Sequence, residues 1–207
     1  MEKLLKGIVK FRKGDFITHR ELFNKLKNEQ NPHTLFIGCS DSRLVPNLIA
    51  QTLPGELFEV RNIANIVPPY RISQEHLATT SAIEYAVTVL GVDTIVVCGH
   101  SNCGGCKLIY TKDANLSEAP HTRKWMELAG DVRNKILNEG DQEDQAKIEW
   151  MTEQLNVVEQ LKNLLTYPCI REKYQKKEID IQGWYYIIET GEVFIYNKDK
   201  GEFELAN

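Results

Sequence analysis

Hydrophobic and polar positions at the start of the chain follow a helical spacing. Apolar residues recur every three to four positions from Leu4 to Val9 and again from Leu22 to Leu26. Neither segment carries enough apolar residues to form a core by itself. We therefore predict an N-terminal helical arm over residues 1–30 that packs on the rest of the domain or extends over a partner subunit.

Apolar runs of strand length follow this arm. They cover Thr34–Gly38, Glu56–Val60 behind the turn signal Pro54-Gly55, and Asp93–Cys98. The last run is rich in β-branched residues, which is typical of a strand buried on both faces of a sheet. A helical pattern over Gln74–Leu90, closed by Gly91, separates the second run from the third.

The second half of the chain continues the alternation of helical and strand patterns. Amphipathic stretches fill 119–138 and 142–165, and strand patterns follow at 179–188 and 193–196 around a turn at 189–191. Strands separated by helices indicate an α/β fold. We predict a single domain over residues 1–207, with a central, mostly parallel β-sheet flanked by helices. The last two strands are candidates for antiparallel pairing at one side.

Composition narrows the class of protein. Hydrophobic residues make up 42% and charged residues 26% of the 207 residues, which is ordinary for a globular domain. The formal charge is −4, so the chain lacks the excess of basic residues that nucleic-acid binding requires. No apolar run approaches the roughly 20 residues of a membrane span, and no secretory signal is evident. We expect a cytoplasmic protein without a nucleic-acid or membrane partner.

Cysteines add candidate chemistry to this picture. The chain has five of them: Cys39, Cys98, Cys103, Cys106 and Cys169. In a reducing cytoplasm, cysteines serve metals or catalysis more often than disulfides. Cys98 lies in a predicted buried strand and Cys169 follows a proline, so we interpret both as small hydrophobic residues. The other three stand in motifs.

Two motifs directly follow predicted buried strands. Cys39-x-Asp41-x-Arg43 follows the first strand, and His100-x-x-Cys103 follows the third. Because ligands bind beyond the carboxyl ends of parallel strands, we expect the two motifs to meet there. Two cysteines and one histidine suit zinc, and three protein ligands leave the fourth tetrahedral position to water or substrate. The sequence therefore predicts a catalytic zinc site held by Cys39, His100 and Cys103.

Asp41 and Arg43 are predicted to act beside the metal. Two thiolates and a neutral imidazole cancel the charge of zinc, so a bound water is acidified less than beside three imidazoles. A nearby Asp41 carboxylate would accept a hydrogen bond from the resulting hydroxide, and Arg43 would keep that carboxylate ionised through a bidentate pair. Without the arginine, Asp41 would be free to swing onto zinc and close the open position.

Two other interpretations remain open at this point. Cys103-Gly-Gly-Cys106 is a C-x-x-C motif at a predicted helix start, as in thioredoxin-like redox proteins. That interpretation leaves His100 and the first motif without a role. A zinc-stabilised binding module without catalysis is the second alternative, and the open coordination position argues against it.

In combination, the two motifs resemble the signature of the β-carbonic anhydrases. The flanking similarity covers Pro54-Gly55-Glu56, Arg61–Asn65, Ser81–Ala86 and Gly99–Gly105. The resemblance is strong over residues 30–110 and fainter at Gly183-Trp184. It implies an α/β enzyme of the plant-like branch that hydrates carbon dioxide reversibly to bicarbonate and a proton by zinc-bound hydroxide.

The resemblance also implies roles at the metal. One zinc ion per subunit would be bound by Cys39, His100 and Cys103. Asp41 and Arg43 would form the pair that orients the hydroxide. These implied roles agree with those expected above from strand placement and charge.

The resemblance further implies a substrate pocket and an assembly. The pocket would contain Gln30, Phe58, Tyr85 and the backbone amide of Gly104, although Phe58 and Tyr85 are equally compatible with core packing. The family forms homodimers or dimers of dimers with this pocket at the subunit interface. Phe36 stands where another branch carries the tryptophan of a regulatory bicarbonate site, which argues against such regulation here.

Overall fold

The structure is a computed structural model that describes residues 1–72, 75–111, 116–139 and 144–206. Its strands are β1 (Thr34–Cys39), β2 (Leu57–Asn62), β3 (Thr94–His100), β4 (Asp180–Tyr186), β5 (Val193–Asn197) and β6 (Glu202–Leu205). Within these ranges they form a six-stranded sheet in the order β2-β1-β3-β4-β5-β6. The first four in that order pair in parallel, and β5 and β6 continue the sheet in antiparallel fashion.

Helices account for most of the remaining described residues. They are α1 (Glu2–Lys13), α2 (Asp15–Thr18), α3 (Arg20–Leu26), α4 (Pro46–Ile49), α5 (Leu77–Tyr85), α6 (Gly104–Tyr110), α7 (Pro120–Met126), α8 (Gly130–Glu139), α9 (Gln145–Leu164) and α10 (Pro168–Gln175). Short 3-10 helices cover Ile63–Asn65 and Glu127–Ala129, and a π-helical turn at Ala86–Leu90 extends α5. No helix among the described residues has the length and apolarity needed to cross a membrane.

The predicted α/β fold with a mostly parallel central sheet is confirmed, and the late strands β4 and β5 pair antiparallel. The short elements α4 and β6 were not predicted, because each has only four residues and a hydrophobic repeat cannot be recognised over so few positions. The amphipathic stretch predicted over 119–138 divides into α7, a 3-10 turn and α8. The starts predicted at Gln74 and at 142 lie outside the described residues.

Strand β1 is the centre of the parallel part of the sheet. It lies between β2 and β3, and all six of its residues are buried. A strand that is covered on both faces needs apolar side chains on both, so Leu35, Phe36 and Ile37 follow one another without a polar break. Leu35 and Ile37 join the main core, whereas Phe36 packs in a separate cluster on the other face.

The order of the strands reverses beside β1. The chain runs from β1 outward to β2 and then crosses to β3 on the opposite side of β1. At such a switch point the connections diverge and open a crevice beyond the carboxyl ends of the strands. Cys39 ends β1 and His100 ends β3, so the fold delivers both candidate ligands to this crevice.

Helix α9 packs closely against β3 and β4 at two glycines. A Cβ atom at Gly99 would lie 2.6 Å from Val157 Cγ2, and one at Gly183 would lie 2.9 Å from Val157 Cγ1. Glycine at these positions lets the helix approach the sheet backbone. Polar side chains of α9 consequently reach the backbone around the crevice.

The N-terminal arm carries no buried residue along α1, α2 or α3. Its aromatic rings pack on one another: Phe16 stacks on Phe23 with ring centroids 5.3 Å apart, and Phe11 contacts both edge-on. Leu4 and Ile8 are 74% and 62% exposed. Within the arm predicted over residues 1–30, the helices reach from Glu2 to Leu26 with short breaks, and residues 27–30 are not helical. Apolar side chains of these helices are uncovered in a single protomer.

The close approach of α9 to the sheet generates a prediction for stability. We expect Gly99→Ala to lower the free energy of unfolding by about 1–3 kcal/mol, because the new methyl group overpacks against Val157. In a Val157→Ala background the same substitution should cost much less, since the clashing methyl is gone. Urea unfolding of the four proteins measures this coupling. An equal cost in both backgrounds would contradict the close approach.

Candidate metal centre

Three ligand atoms converge at the carboxyl ends of β1 and β3. The sulfurs of Cys39 and Cys103 and a ring nitrogen of His100 lie within 4.8 Å of one another, and all three residues are buried. The parallel strands hold Cys39 and His100, while Cys103 is the N-cap residue of α6. We call these three residues the metal group. The structure thus brings together the predicted ligands from distant parts of the chain.

The geometry of the metal group fits a tetrahedral zinc ion. Its two sulfur atoms are 3.8 Å apart. Two zinc–sulfur bonds of about 2.3 Å at the tetrahedral angle separate the sulfurs by about 3.8 Å. His100 Nδ1 lies 3.0 Å from the carbonyl oxygen of Ser101, so Nδ1 carries the proton and Nε2 keeps a lone pair. That Nε2 atom is buried without a hydrogen-bond partner, as is expected of a metal ligand.

Without a cation, the two thiols of the metal group keep their protons. The hydrogen bond with Cys103, together with burial, raises the pKa of Cys39 to about 12. The pKa of Cys103 is raised as well, first by its hydrogen bond with Cys106. A bound cation reverses this preference because it stabilises thiolates. A raised pKa at Cys103 is the opposite of what a redox-active C-x-x-C nucleophile needs.

Asp41 and Arg43 form a bidentate ion pair beside the metal group, and we call them the dyad. Arg43 Nε donates to Asp41 Oδ1 at 2.9 Å, and Arg43 Nη2 donates to Oδ2 at 2.7 Å. These hydrogen bonds hold the pKa of Asp41 well below its usual range, so the carboxylate stays ionised. Oδ2 lies 3.9 Å from His100 Nε2, which places the carboxylate next to the metal group.

A second arginine, Arg61 on β2, fixes the backbone that carries Cys39 and the dyad. Its Nε atom donates to the carbonyl oxygen of Cys39 at 3.1 Å, and its Nη2 atom donates to those of Asp41 and Leu44 at 2.7 and 2.6 Å. Hydrogen bonds from a charged donor are stronger than neutral ones, so this loop is firmly held. Sequence reasoning gave Arg61 no role, because its partners are backbone atoms that leave no signal in the sequence.

A stripe of buried polar side chains on α9 bonds to the backbone of the loops that form the crevice. Its four side chains bond to backbone groups: Glu153 to the N–H of Cys103, Asn156 to the carbonyl of Ala64, and Gln160 and Asn163 to the N–H and carbonyl of Val67. The sequence pattern predicted an amphipathic segment here and missed that part of its buried face is polar. The signal that could have found the stripe is the spacing of three and four residues between its members, which places them on one helix face.

Glu153 is the member of this stripe nearest the metal group. Besides the N–H of Cys103, its carboxyl group accepts a hydrogen bond from the Tyr185 hydroxyl at 2.5 Å. Burial raises the pKa of Glu153 to about 7. The acid is therefore tightly enclosed, with both of its oxygen atoms bonded inside the protein.

The predicted pocket residues do not all lie near the metal group within one protomer. Phe58 and Tyr85 contact each other, with ring centroids 5.9 Å apart. Phe58 sits on β2 four register positions before that of Cys39, roughly 13 Å away along the sheet. Gln30 is exposed and precedes β1, at the end of that strand opposite Cys39. Gly104, in contrast, adjoins the metal group at the start of α6.

The metal group, the dyad and the crevice together define a class of protein. The described residues offer no fourth cysteine, histidine or carboxylate that joins the metal group. Structural zinc sites are usually closed by four protein ligands, whereas catalytic sites keep one position open. An open Cys2His group at the switch point of a parallel sheet, next to an ionised carboxylate, is typical of a metal-dependent enzyme.

Comparisons with known proteins identify the family. A family model described as carbonic anhydrase matches residues 34–193. The carbonic anhydrase of Helicobacter pylori is 40% identical over 207 residues, which cover 99% of this chain and 93% of that protein. The carbonic anhydrase of Synechocystis sp. is 40% identical over 198 residues, which cover 95% of this chain and 71% of that protein. The chain belongs to the carbonic anhydrase family.

Solved structures place it in the β class of that family. The β-carbonic anhydrase CcaA superimposes with a TM-score of 0.95 at 37% identity, over 100% of this chain and 99% of that chain. A structure reported among two tetrameric β-carbonic anhydrases from Sordaria macrospora gives a TM-score of 0.82 at 33% identity, over 93% and 94% of the two chains. The predicted resemblance to β-carbonic anhydrases is confirmed.

The composition of the metal group generates a prediction for metal content. We expect Cys103→Ser to lose most of its bound zinc and Cys106→Ser to retain about one ion per chain, because Cys106 lies outside the metal group. Elemental analysis after dialysis against a weak chelator measures the difference. Loss of zinc from Cys106→Ser would show that Cys106 closes the site as a fourth ligand.

Proposed function

We propose that this chain catalyses the reversible hydration of carbon dioxide to bicarbonate and a proton, with one zinc ion per subunit bound by the metal group. One observation carries the proposal: a buried, unpartnered His100 Nε2 faces two thiols at tetrahedral spacing, beside an ionised Asp41. Family membership supports the same reaction, because proteins similar to this chain over nearly its whole length are carbonic anhydrases.

The ligand set suits this reaction in its charge. Zinc bound there would supply Lewis acidity, which lowers the pKa of a coordinated water towards about 7. Cys39 and Cys103, as thiolates, contribute two negative charges that balance the divalent cation. A site of low net charge attracts the anionic product only weakly, which favours its release.

The dyad is proposed to orient the attacking water. Because its pKa is low, Asp41 accepts a hydrogen bond from that water without taking up the proton. A fixed acceptor turns the oxygen lone pair towards the carbon of carbon dioxide, which lowers the entropic part of the barrier. Arg43 holds both carboxylate oxygens and thereby keeps Asp41 from acting as a metal ligand.

The substrate pocket is proposed to form between subunits. The amide of Gly104 opens α6, where helical N–H groups have no partner within the helix, and it would donate to an oxygen of bicarbonate. Gln30, Phe58 and Tyr85 would serve the metal group of a partner subunit, with the two rings facing carbon dioxide. Their distance from Cys39 along the sheet supports this assignment, as does the 43% exposure of Tyr85.

The assembly is proposed to be a homodimer that can pair into a dimer of dimers. The arm of residues 1–30 would extend over the partner subunit, and the exposed apolar side chains of the arm would be buried against that subunit. Burial of such residues is favourable by about 25 cal/mol per Å² of apolar surface. The tetrameric relatives from Sordaria macrospora support an assembly of this kind.

Location and regulation complete the proposal. A reducing compartment such as the cytoplasm would keep the thiols of Cys39 and Cys103 available to a metal. Phe36 is buried and packs edge-on against Trp184, with ring centroids 6.1 Å apart. This apolar packing supports the proposal that the position holds no regulatory bicarbonate.

Substitution of the dyad arginine tests the proposed reaction. We expect Arg43→Ala to lose nearly all carbon dioxide hydration while retaining zinc, because Asp41 is then free to occupy the open position. Stopped-flow hydration on zinc-quantified protein measures the effect, and Arg171→Ala, at an exposed position of α10, serves as the matched control. Normal turnover by Arg43→Ala would refute the role of the dyad, and an inactive wild-type protein would refute the proposed function.

Charge placed on the arm tests the proposed assembly. We expect the double variant Leu5→Glu with Ile8→Glu to sediment at about half the mass of the wild type, because buried charges at an interface are costly. Its hydration activity should fall together with its mass, since the pocket needs two subunits. Lys3→Glu with Lys10→Glu, on the polar side of the same helix, should leave both unchanged. A monomeric wild type, or full activity in a monomeric variant, would overturn the shared pocket.

A further inference from the structure

One peptide unit connects the dyad to the buried polar stripe of α9. The carbonyl oxygen of Asn102 accepts a hydrogen bond from Arg43 Nη2 at 3.0 Å. The N–H of Cys103, which belongs to the same peptide unit, donates to Glu153 Oε1 at 2.8 Å. Because the C=O and N–H of a trans peptide point in opposite directions, Arg43 and Glu153 hold this unit from opposite sides.

Regular secondary structure does not fix the orientation of this peptide unit. It lies in the turn between the end of β3 at His100 and the start of α6 at Gly104. Asn102 has a φ of 55°, in the left-handed region that asparagine tolerates better than most residues. Rotation of the peptide plane about its flanking Cα atoms would turn the carbonyl away from Arg43. The bond to Glu153 opposes that rotation, since it would leave a buried N–H and a buried carboxyl oxygen without partners.

Arg43 depends on this contact for its position. The side chain is 47% exposed, and a long exposed arginine loses rotamer freedom when it is held in one conformation. Its side-chain hydrogen bonds go to Asp41 and to the carbonyl of Asn102. Arg43 is the group that restrains Asp41, so Asp41 cannot also serve as its fixed support. The carbonyl oxygen of Asn102 is therefore the contact that anchors the Arg43 side chain to the rest of the fold.

We propose that Glu153 is a positioning residue for the reaction: it fixes the Asn102–Cys103 peptide, which holds Arg43 against Asp41. Glu153 is suited to this because it is 2% exposed and its second oxygen is bonded to Tyr185. It also lies on the helix that packs against the sheet at Gly99. The inference rests on the proposed function, since the dyad that it concerns is the one that orients water there.

Three variants separate this role from a general effect on folding. Glu153→Met removes the acceptor at similar length, and we expect kcat for hydration to fall at least about tenfold, as for the loss of one orienting hydrogen bond, with KM within about twofold. Glu153→Gln keeps an acceptor oxygen for the Cys103 N–H and should stay within about threefold of the wild type. Tyr185→Phe removes the other partner of the same carboxyl group, leaves the peptide bonded, and should behave like Glu153→Gln.

A direct readout of the dyad does not depend on turnover. The Nε–H resonance of Arg43, identified by its absence in Arg43→Lys, reports the hydrogen bond to Asp41. We expect slow exchange of this proton with water in the wild type, in Glu153→Gln and in Tyr185→Phe. In Glu153→Met the exchange should be at least about tenfold faster, because the bond opens more often. Zinc content should stay at one ion per chain in all four.

Coupling to Arg43 completes the test. If Glu153 acts through Arg43, the residual kcat of Arg43→Ala, measured at high enzyme concentration above the uncatalysed rate, should fall no further, within about twofold, when Glu153→Met is added. Additive losses would overturn the inference, as would unchanged Nε–H exchange in Glu153→Met or an equal defect in Glu153→Gln. If Glu153→Met does not fold, Glu153→Asp replaces it, because the shorter side chain withdraws the acceptor by one methylene. We expect the same faster Nε–H exchange in Glu153→Asp. Unchanged exchange in that variant would also overturn the inference. The exchange measurement stands even if the wild type does not hydrate carbon dioxide, so the two proposals can fail separately.

Discussion

Parallel pairing of β1 with β3 is the constraint on which the site depends. In this register Gly38 lies opposite Cys98, so Cys39 and His100 leave adjacent strands at nearly the same level. A shift of one residue would turn each side chain to the other face of the sheet and separate the ligands. The continuous apolar run of β1, buried on both faces, makes such a shift costly, because every core contact of the strand would be lost with it. Packing in the core therefore sets the spacing of the sulfur and nitrogen atoms.

Around that register, the protein holds its loops with polar groups that are buried but bonded. A buried polar group costs free energy unless it finds a partner. Here the stripe on α9 meets backbone carbonyl and N–H groups that turns have left without partners, and Arg61, which is itself exposed, bonds to further carbonyl groups of this kind. The side chains of the stripe and the backbone groups that they bond therefore lower the desolvation cost of one another. The result is a crevice with rigid walls, although much of its lining is irregular backbone.

The sequence predicts the fold and the convergence of the candidate site residues for a physical reason. Cys39 and His100 directly follow apolar runs, so strand prediction alone places them at the carboxyl ends of the parallel strands. Asp41 and Arg43 are two positions apart and can pair locally. Arg61 and Glu153, by contrast, act on backbone atoms far away in the chain, and no spacing of side chains reveals such partners. Resemblance alone implies the pocket role of Phe58, and the ring lies at the other end of β2 from the metal group of its own protomer.

A crystal structure of the zinc-loaded protein, measured at the zinc absorption edge, shows whether the metal site keeps an open position. We expect one anomalous peak per chain within bonding distance of Cys39 Sγ, His100 Nε2 and Cys103 Sγ, with a non-protein oxygen in the fourth position. Asp41 should remain paired with Arg43. Completion of the coordination shell by Asp41 or by Cys106 would contradict an open site, and with it the proposed chemistry.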